Sequence, residues 1–488
     1  VPVTIAPSGT DLTPRFVSGS LMRHVVVMAG TGAIGLVAIF AVDLLNFFYL
    51  AMLGDQSITA AIGFTGAVSF FQTSVCIGLV IGIGAVVSRT IGAGRPDDAR
   101  RIAAASLAMM LAVTGLIGAA TVLLLHPILG ALGAAGAVRD QAAIFLTIVA
   151  PTTPLLAAGM ALSTLLRSAG DAKRALNVTL FAAIAAAAFD PILIFALHLG
   201  LTGAAISTVL SRIVLAWIGY RGAVSRHHMI GRLDVSRILP DLRQVLAVSG
   251  PAILTNLATP VASAYVTRSM AVFGPAAIAG QASIDRMAPV AFGVVFALTG
   301  AVGPILAQNL GAGRVDRVRD GLRASLLFVA CAVSVAWAVL FAAQDIYVRI
   351  LGASGETASL IHLFCTYLAG SFLFTGALFV ANAAFNNLGF PLLSTLFNWG
   401  RATLGTIPLV MLGKPWGAPG VMIGAAGGSF VFGVSAAVTA FVVIGRLKPG
   451  AKAPQQTGMA IATGSGKAAL ASLTTAPPAS EKITQAPI

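Results

Sequence analysis

The pentapeptide Ile91-Gly92-Ala93-Gly94-Arg95 returns as Leu310-Gly311-Ala312-Gly313-Arg314, 219 positions further on. The same offset carries Gly170, in Leu166-Arg167-Ser168-Ala169-Gly170, onto Gly389, in Asn386-Asn387-Leu388-Gly389. Two landmarks at one spacing define an internal repeat, and two units cover nearly all of the chain ahead of a polar stretch beginning at residue 446. The unit is far too long for a solenoid repeat. It is a duplicated half.

Only 9% of the residues are charged and 57% are hydrophobic, against about 25% charged in soluble domains. A bilayer-spanning helix needs roughly 20 mostly apolar residues. Twelve stretches qualify: 23–53, 58–90, 102–126, 139–166, 174–197, 201–224, 245–273, 276–310, 321–345, 357–388, 390–413 and 418–445. The fold class expected is an all-α polytopic membrane protein, with twelve transmembrane helices in two six-helix repeats. An even number per repeat leaves both halves facing the same way, and a transport site between them is the first expectation. The divisions expected are an N-terminal segment 1–20, a first lobe 21–225, a basic linker 226–244, a second lobe 245–445 and a tail 446–488.

The net charge of +14 raises the question of nucleic acid, but its distribution answers it. Arg89, Arg95, Arg100 and Arg101 follow the second span; Arg167, Lys173 and Arg174 follow the fourth. Arg221, Arg226, Arg232, Arg237 and Arg243 lie around the central linker, and Arg314, Arg317, Arg319 and Arg323 follow the eighth span. The alternate loops offer Arg139, Arg349 and Lys414. This is the positive-inside pattern of an inner or plasma membrane protein with both termini cytoplasmic. Residues 1–20 contain Pro2, Pro7 and Pro14 without an apolar core, so they do not read as a cleavable signal. The tail is rich in Ala, Thr, Ser, Pro and Lys and reads as disordered. Cys76, Cys331 and Cys365 are isolated in apolar spans, without disulfide or metal spacing, and read as buried small hydrophobes.

Gly30-Thr31-Gly32-Ala33-Ile34-Gly35 matches the dinucleotide fingerprint G-x-G-x-x-G, but inside a span and with no βαβ context. Close helix packing or a bend is the better reading. The Gly-Ala-Gly-Arg pairs lack the Lys-Ser/Thr of a phosphate loop and read as helix caps followed by a headgroup anchor. Ionisable residues inside spans are the functional candidates, because each costs a few kcal/mol in lipid. Asp43 on the first helix, Asp190 on the fifth and Thr208 on the sixth all fall roughly 10–15 Å below the outer surface at 1.5 Å per residue. Three polar groups at one depth suit a proton or sodium site. Each has a structural alternative, local for Asp190 and Thr208 but not for Asp43. Asp190 precedes Pro191 and could cap a kink; Thr208 could bond back to its own helix; Asp43 could pair with Arg212. The second half offers Arg268, Asp285, Arg286 and Arg401 as substrate-cavity candidates, with an Asp285–Arg268 bridge as one alternative. Arg401 has no acid near it in sequence and implies a water-filled cavity or an anionic group.

Several strings in one order carry a family resemblance over residues 20–445. They are Val42-Asp43, Leu53-Gly54, Ala60-Ala61-Ile62-Gly63, Gly78-Leu79-Val80-Ile81-Gly82 and Ser88-Arg89-Thr90-Ile91-Gly92-Ala93-Gly94. Leu166-Arg167-Ser168-Ala169-Gly170-Asp171, Asp190-Pro191-Ile192-Leu193-Ile194-Phe195, Gly203-Ala204-Ala205, Pro304 and Gln308-Asn309-Leu310-Gly311-Ala312-Gly313 complete the order. Together they resemble the multidrug and toxic compound extrusion (MATE) family of secondary antiporters. The resemblance implies two six-helix lobes around a central cavity and transport driven by a proton or sodium gradient. It implies Asp43 as the first-helix coupling acid, with Asp190 and Thr208 as partners. Two positions depart from the family pattern. Ala186 stands where an asparagine often precedes the fifth-helix acid, and residues 21–53 lack the proline that often bends the first helix.

The function expected is therefore a drug or metabolite efflux antiporter, proton-coupled in preference to sodium, with no cofactor. Its partners would be a small-molecule substrate and the lipid bilayer, with no nucleic acid and no obligate protein partner. The rival reading is a lipid-linked precursor flippase of the same superfamily. An enzyme is disfavoured, because His24, His126, His198 and His362 fall near helix ends rather than together at one depth. A channel is disfavoured by the lack of a charge ring or filter repeat.

Overall fold

The computed structural model describes residues 12–53 and 56–447, so the tail from 448 and residues 1–11 lie outside the described residues. The first half runs α1 (Leu21–Ala51), α2 (Gln56–Gly92), α3 (Pro96–Leu123), α4 (Gly136–Ser168), α5 (Ala172–Ala196) and α6 (Gly200–Arg226). The second runs α7 (Ile238–Ala271), α8 (Pro275–Ala291 continued by Gly293–Gly311), α9 (Val315–Ile350) and α10 (Gly355–Thr366 continued by Leu368–Leu388). It ends with α11 (Pro391–Gly400, Arg401–Gly405 and Thr406–Gly413) and α12 (Gly417–Gly445). A short helix, Leu125–Ala131, joins α3 to α4, and no strand occurs among the described residues. Eleven helical runs there are long and apolar enough to cross a bilayer. The longest, Pro391–Gly445, turns back at Lys414–Trp416, so that α11 and α12 pack side by side as separate helices. Backbone groups have no partner in hydrocarbon, so helices are the form such stretches take. Many helices outrun the apolar stretches. α7 starts at Ile238, because hydrogen bonding continues into the headgroup zone where polar side chains are solvated.

The interruptions have local causes. Pro289 has no N–H to give, and α8 breaks three residues later at Phe292. α10 breaks at Tyr367 without a proline. There the indole N–H of Trp337, on α9, donates to the carbonyls of Cys365 (3.1 Å) and Thr366 (3.2 Å), taking them out of the helical ladder. α4 tightens to a 3₁₀ turn over Ala150–Thr152, where Pro151 and Pro154 interrupt it. α1 runs unbroken, as expected for a helix without proline.

The halves meet reciprocally: α1 packs on α8, and α2 packs on α7 and α8. Glycine permits the approach. A β-carbon on Gly92 would collide with the Gln308 backbone of α8, and one on Gly311 with the backbone of Arg89 on α2 and of Ala93 just beyond it. These two glycines are repeat equivalents, so the repeat touches itself where α2 crosses α8. Gly78 and Gly82 meet α7 at Ile253 and at Val245 and Ser249 in the same way. Gly32 lies against Ala297 of α8, and Gly35 against Thr179 of α5. Gly32 and Gly35 of the α1 glycine run thus serve close packing, whereas Gly30 has open space beside it.

The loops 93–95, 169–171, 227–237 and 312–314 share one end, called here the basic end. Arg101 bridges Asp98 (2.6 Å) on its own helix and Asp241 (2.9 Å) on α7. Asp171 caps α5 through the Arg174 N–H (3.0 Å), pairs with the Arg174 guanidinium and accepts from His227 Nε2 (2.8 Å). Burial opposes its charge, but His227 and both Arg174 donors outweigh it and hold the carboxyl well below the usual carboxylate range. Of the cysteines, Cys76 and Cys365 are buried as expected, whereas Cys331 is on the outside of the bundle. Its span presents that position outward, and a thiol is tolerated against lipid.

Asp171→Ala should cost about 1 kcal/mol of stability, the usual worth of an N-cap. Because the folded carboxyl is held low, this contribution is present above the ordinary aspartate range near about 3.9 and is lost as pH falls through the folded value. Thermal melts of both proteins from pH 7 to pH 3 should therefore show the difference narrowing toward acid.

Candidate functional site

Two adjoining cavities frame the site, one between α1 and α8 and one within the second half. The first, of about 250 Å³, is lined by Phe40, Asp43, Leu44 and Phe47 of α1 and by Arg286, Pro289 and Val290 of α8. The α1 residues repeat at three and four positions, so one helical face supplies them. The Arg286 guanidinium stacks over the Phe47 ring at 4.5 Å, a cation–π contact between the halves. Among the described residues, no hydrogen bond or ion pair engages the Asp43 carboxylate, which opens onto this cavity. The suggested pairing with Arg212 is not made. Arg212 instead donates to the Val149 carbonyl (2.8 Å) and to Thr152 Oγ1 (2.9 Å), serving the broken turn of α4.

Asp190 is buried on α5, close enough to Asp43 for their charges to interact. It accepts a hydrogen bond from Asn46 Nδ2 at 3.0 Å. The sequence reading missed Asn46, although it lies one turn beyond Asp43. The amide lacking at Ala186 on α5 is thus supplied from α1. Ser207, also missed, is fully buried on α6 and neighbours Asp190. Thr208, singled out from sequence, donates to the carbonyl of Ala204 on its own helix at 2.9 Å. Its oxygen keeps accepting capacity, but its proton is committed. Asp43, Asn46, Asp190 and Ser207 therefore form the polar cluster on which α1, α5 and α6 converge.

The second cavity, of about 260 Å³, lies within the second half. Arg401, Asp285, Gln281, Thr375 and Ser429 are among its polar lining; Phe296, Phe372 and Phe379 are among its aromatic walls. Phe296 also meets Phe40 edge to face at 6.4 Å, so this pair joins the two cavities. Asp285 accepts from Gln281 Nε2 at 2.8 Å. The bridge to Arg268 considered from sequence does not form, because Arg268 is exposed in the last turn of α7 and lines neither cavity. Arg401 opens the π-helical turn Arg401–Gly405, a local widening common at functional sites. Its Nε is buried without a hydrogen-bond partner, and no ion pair reaches it among the described residues. Arg167, read from sequence as a loop cation, turns inward. Its Nη1 lies 2.9 Å from the point where a β-carbon on Gly32 would sit. No group of three or more metal-binding side chains occurs among the described residues.

The family model named MatE matches this chain twice, at residues 33–192 and 251–412. The chain belongs to the MatE family. Its members are membrane transporters, and the two matches repeat at the spacing of the internal repeat. Among similar proteins, the FAD transporter of Shewanella oneidensis is 27% identical over 405 residues, covering 81% of this chain and 89% of that one. The multidrug export protein MepA of Staphylococcus haemolyticus is 22% identical over 384 residues, covering 78% and 84%. A multidrug resistance MATE family transporter of the MOP superfamily, solved in an outward-facing conformation, shares the fold. Its TM-score is 0.84 at 19% identity, with 90% of this chain and all of that chain covered.

Asn46→Leu should leave the Asp190 carboxylate without its α1 donor, at about 1–3 kcal/mol for a buried group losing its partner. A lowered melting temperature in detergent, with transport reduced at equal membrane level, is the expected outcome. Unchanged values of both would remove Asn46 from the cluster.

Proposed function

We propose that this transporter is a secondary antiporter that exports amphiphilic drugs or metabolites in exchange for protons. The observation that carries the proposal is Asp43, an acid without a bonding partner among the described residues, on a cavity between the halves. A bare carboxylate on an open cavity at membrane depth is costly, so a proton, or a cationic group in its place, is the natural counterpart. Asp190 shares the field, with one oxygen already engaged by Asn46. A proton needs one oxygen, whereas sodium needs several. With Ala186 in place of an amide, and the Thr208 hydroxyl donating to its own helix, the oxygen supply for sodium at Asp43, Asp190 and Thr208 is thin. The positive-inside distribution makes the basic end cytoplasmic.

The proposed substrates are neutral, zwitterionic or anionic amphiphiles rather than dications. Arg401 brings an unpaired cation to an aromatic-walled cavity, Arg286 flanks the neighbouring one, and Asp285 is engaged by Gln281. Two relatives frame this range: one is named for FAD, a ring-bearing anion, and one for multidrug export.

Three outcomes are expected. Asp43→Asn keeps normal membrane levels but loses gradient-driven transport in proteoliposomes; full activity would rule the role out. Removing sodium at a constant pH gradient leaves transport unchanged, and a halt would reassign the coupling ion. Arg401→Ala moves competition between matched anionic and cationic dyes toward the cation. Strong cation selectivity in the unmodified protein would contradict the substrate reading.

A further inference from the structure

Residues 12–20 precede α1 as a largely irregular strap along the basic end, and they are anchored in both halves. Leu12, only 7% exposed, belongs to the apolar core of the first half, which reaches the basic end at Val87 and Ile91 of α2, Ala99 of α3 and Leu166 and Ala169 of α4. Phe16, only 3% exposed, belongs to the core of the second half, with Leu298, Val302 and Ile305 of α8. Between the two anchors, the Arg15 side chain lies against Gly170 in the turn joining α4 to α5.

The hydrogen bonds are not evenly shared. The Phe16 N–H donates to Gln308 Oε1 (3.0 Å), and the Phe16 carbonyl accepts from Asn309 Nδ2 and Arg317 Nη2 (3.1 Å each). The Val17 carbonyl accepts from Arg314 Nη1 (3.2 Å), and the Gly19 carbonyl from Arg317 Nη2 (3.0 Å). All these partners sit on α8, α9 or the turn between them. Gln308 also donates to the Ser168 carbonyl of α4 (2.7 Å), and its backbone is the surface that Gly92 of α2 packs on. The strap is thus bonded to the second half and held to the first chiefly by Leu12 and Arg15, beside the crossing of α2 and α8.

From this we infer that residues 12–19 form a latch across the basic end, and that Leu12 must leave its socket before α2 and α8 can part there. The inference rests on the antiporter reading in one respect: such a transporter opens at each end in turn. The asymmetry of the bonds sets the order. Phe16 stays with α8 while Leu12 lets go, because Phe16 has backbone bonds to α8 and α9, whereas among the described residues Leu12 is held by apolar burial without a hydrogen bond.

A thiol reporter inside the crossing reads this directly. Ser88 lies one turn from Gly92 on α2, fully buried, with a hydroxyl that has no partner, so Ser88→Cys is a small change. In a background with Cys76, Cys331 and Cys365 replaced by alanine, maleimide labelling of the introduced thiol in lipid nanodiscs reports how often the crossing opens. Leu12→Val and Leu12→Ala should speed labelling in that order, the second by about tenfold, one decade of a population shift. Leu12→Met should restore the slow rate, and Thr13→Ala, at an exposed neighbour, should leave it unchanged. The milder variants keep the test open if Leu12→Ala fails to fold. Equal labelling rates across the Leu12 series would overturn the latch. Labelling does not require coupled transport, so a failure of the Asp43 assignment leaves the Leu12 series intact, and the reverse holds too.

Discussion

In hydrocarbon a polar group either finds a partner inside the protein or marks a place where something else arrives. Most of the intramembrane polar groups here find one. Arg212 is taken up by the broken turn of α4, Trp337 by the carbonyls of α10, and Asp190 by Asn46. Several buried hydroxyls and amide oxygens do not, and among charged side chains Asp43 and the Nε of Arg401 are without one among the described residues. They stand on two adjoining cavities, an acid facing the seam and a base within the second half. The functional reading depends on that contrast, because a charge left unmatched is costly unless a proton, water or substrate completes it.

The same economy of space governs the scaffold. The halves can approach only where side chains vanish, and Gly92 and Gly311 place the repeat against itself at the basic end. Towards the other end α1 and α8 are separated by side chains, Arg286 over Phe47 and Phe40 against Phe296, with a cavity between. Tight backbone contact at one end and side-chain contact around a cavity at the other is an arrangement with two alternative closures. A strap bonded to one half and socketed in the other belongs to the tight closure.

Much of this was legible in the sequence, for physical reasons. Hydropathy reports helices directly in a membrane protein, and the duplicated glycine words located the crossing. Asp43 stood out because nothing local explained it. The break in α8 could have been read from Pro289, whereas the break in α10 depends on Trp337, thirty residues away in sequence at Tyr367, and could not. Asn46 was within reach, one turn from Asp43; Ser207 was not, since choosing it over Thr208 requires knowing which face of α6 meets α5. That Arg268 is exposed and lines neither cavity was not legible, because an apolar stretch does not say which residues of its last turn face outward. The alternative of an Asp43–Arg212 pair could not be decided from sequence, as the partner of Arg212 is a carbonyl exposed only by the kink in α4.

In the proposed exchange, substrate in the second cavity and a proton on Asp43 in the first exclude one another across the Phe40–Phe296 contact that joins them. Competition implies reciprocal linkage, so binding one must displace the other. The direct measurement is proton release on adding a transported substrate to the purified protein in weakly buffered detergent solution. About one proton per substrate bound is predicted for the native chain, with none from Asp43→Asn at equal substrate occupancy. No release from the native protein, or undiminished release from the variant, would contradict it.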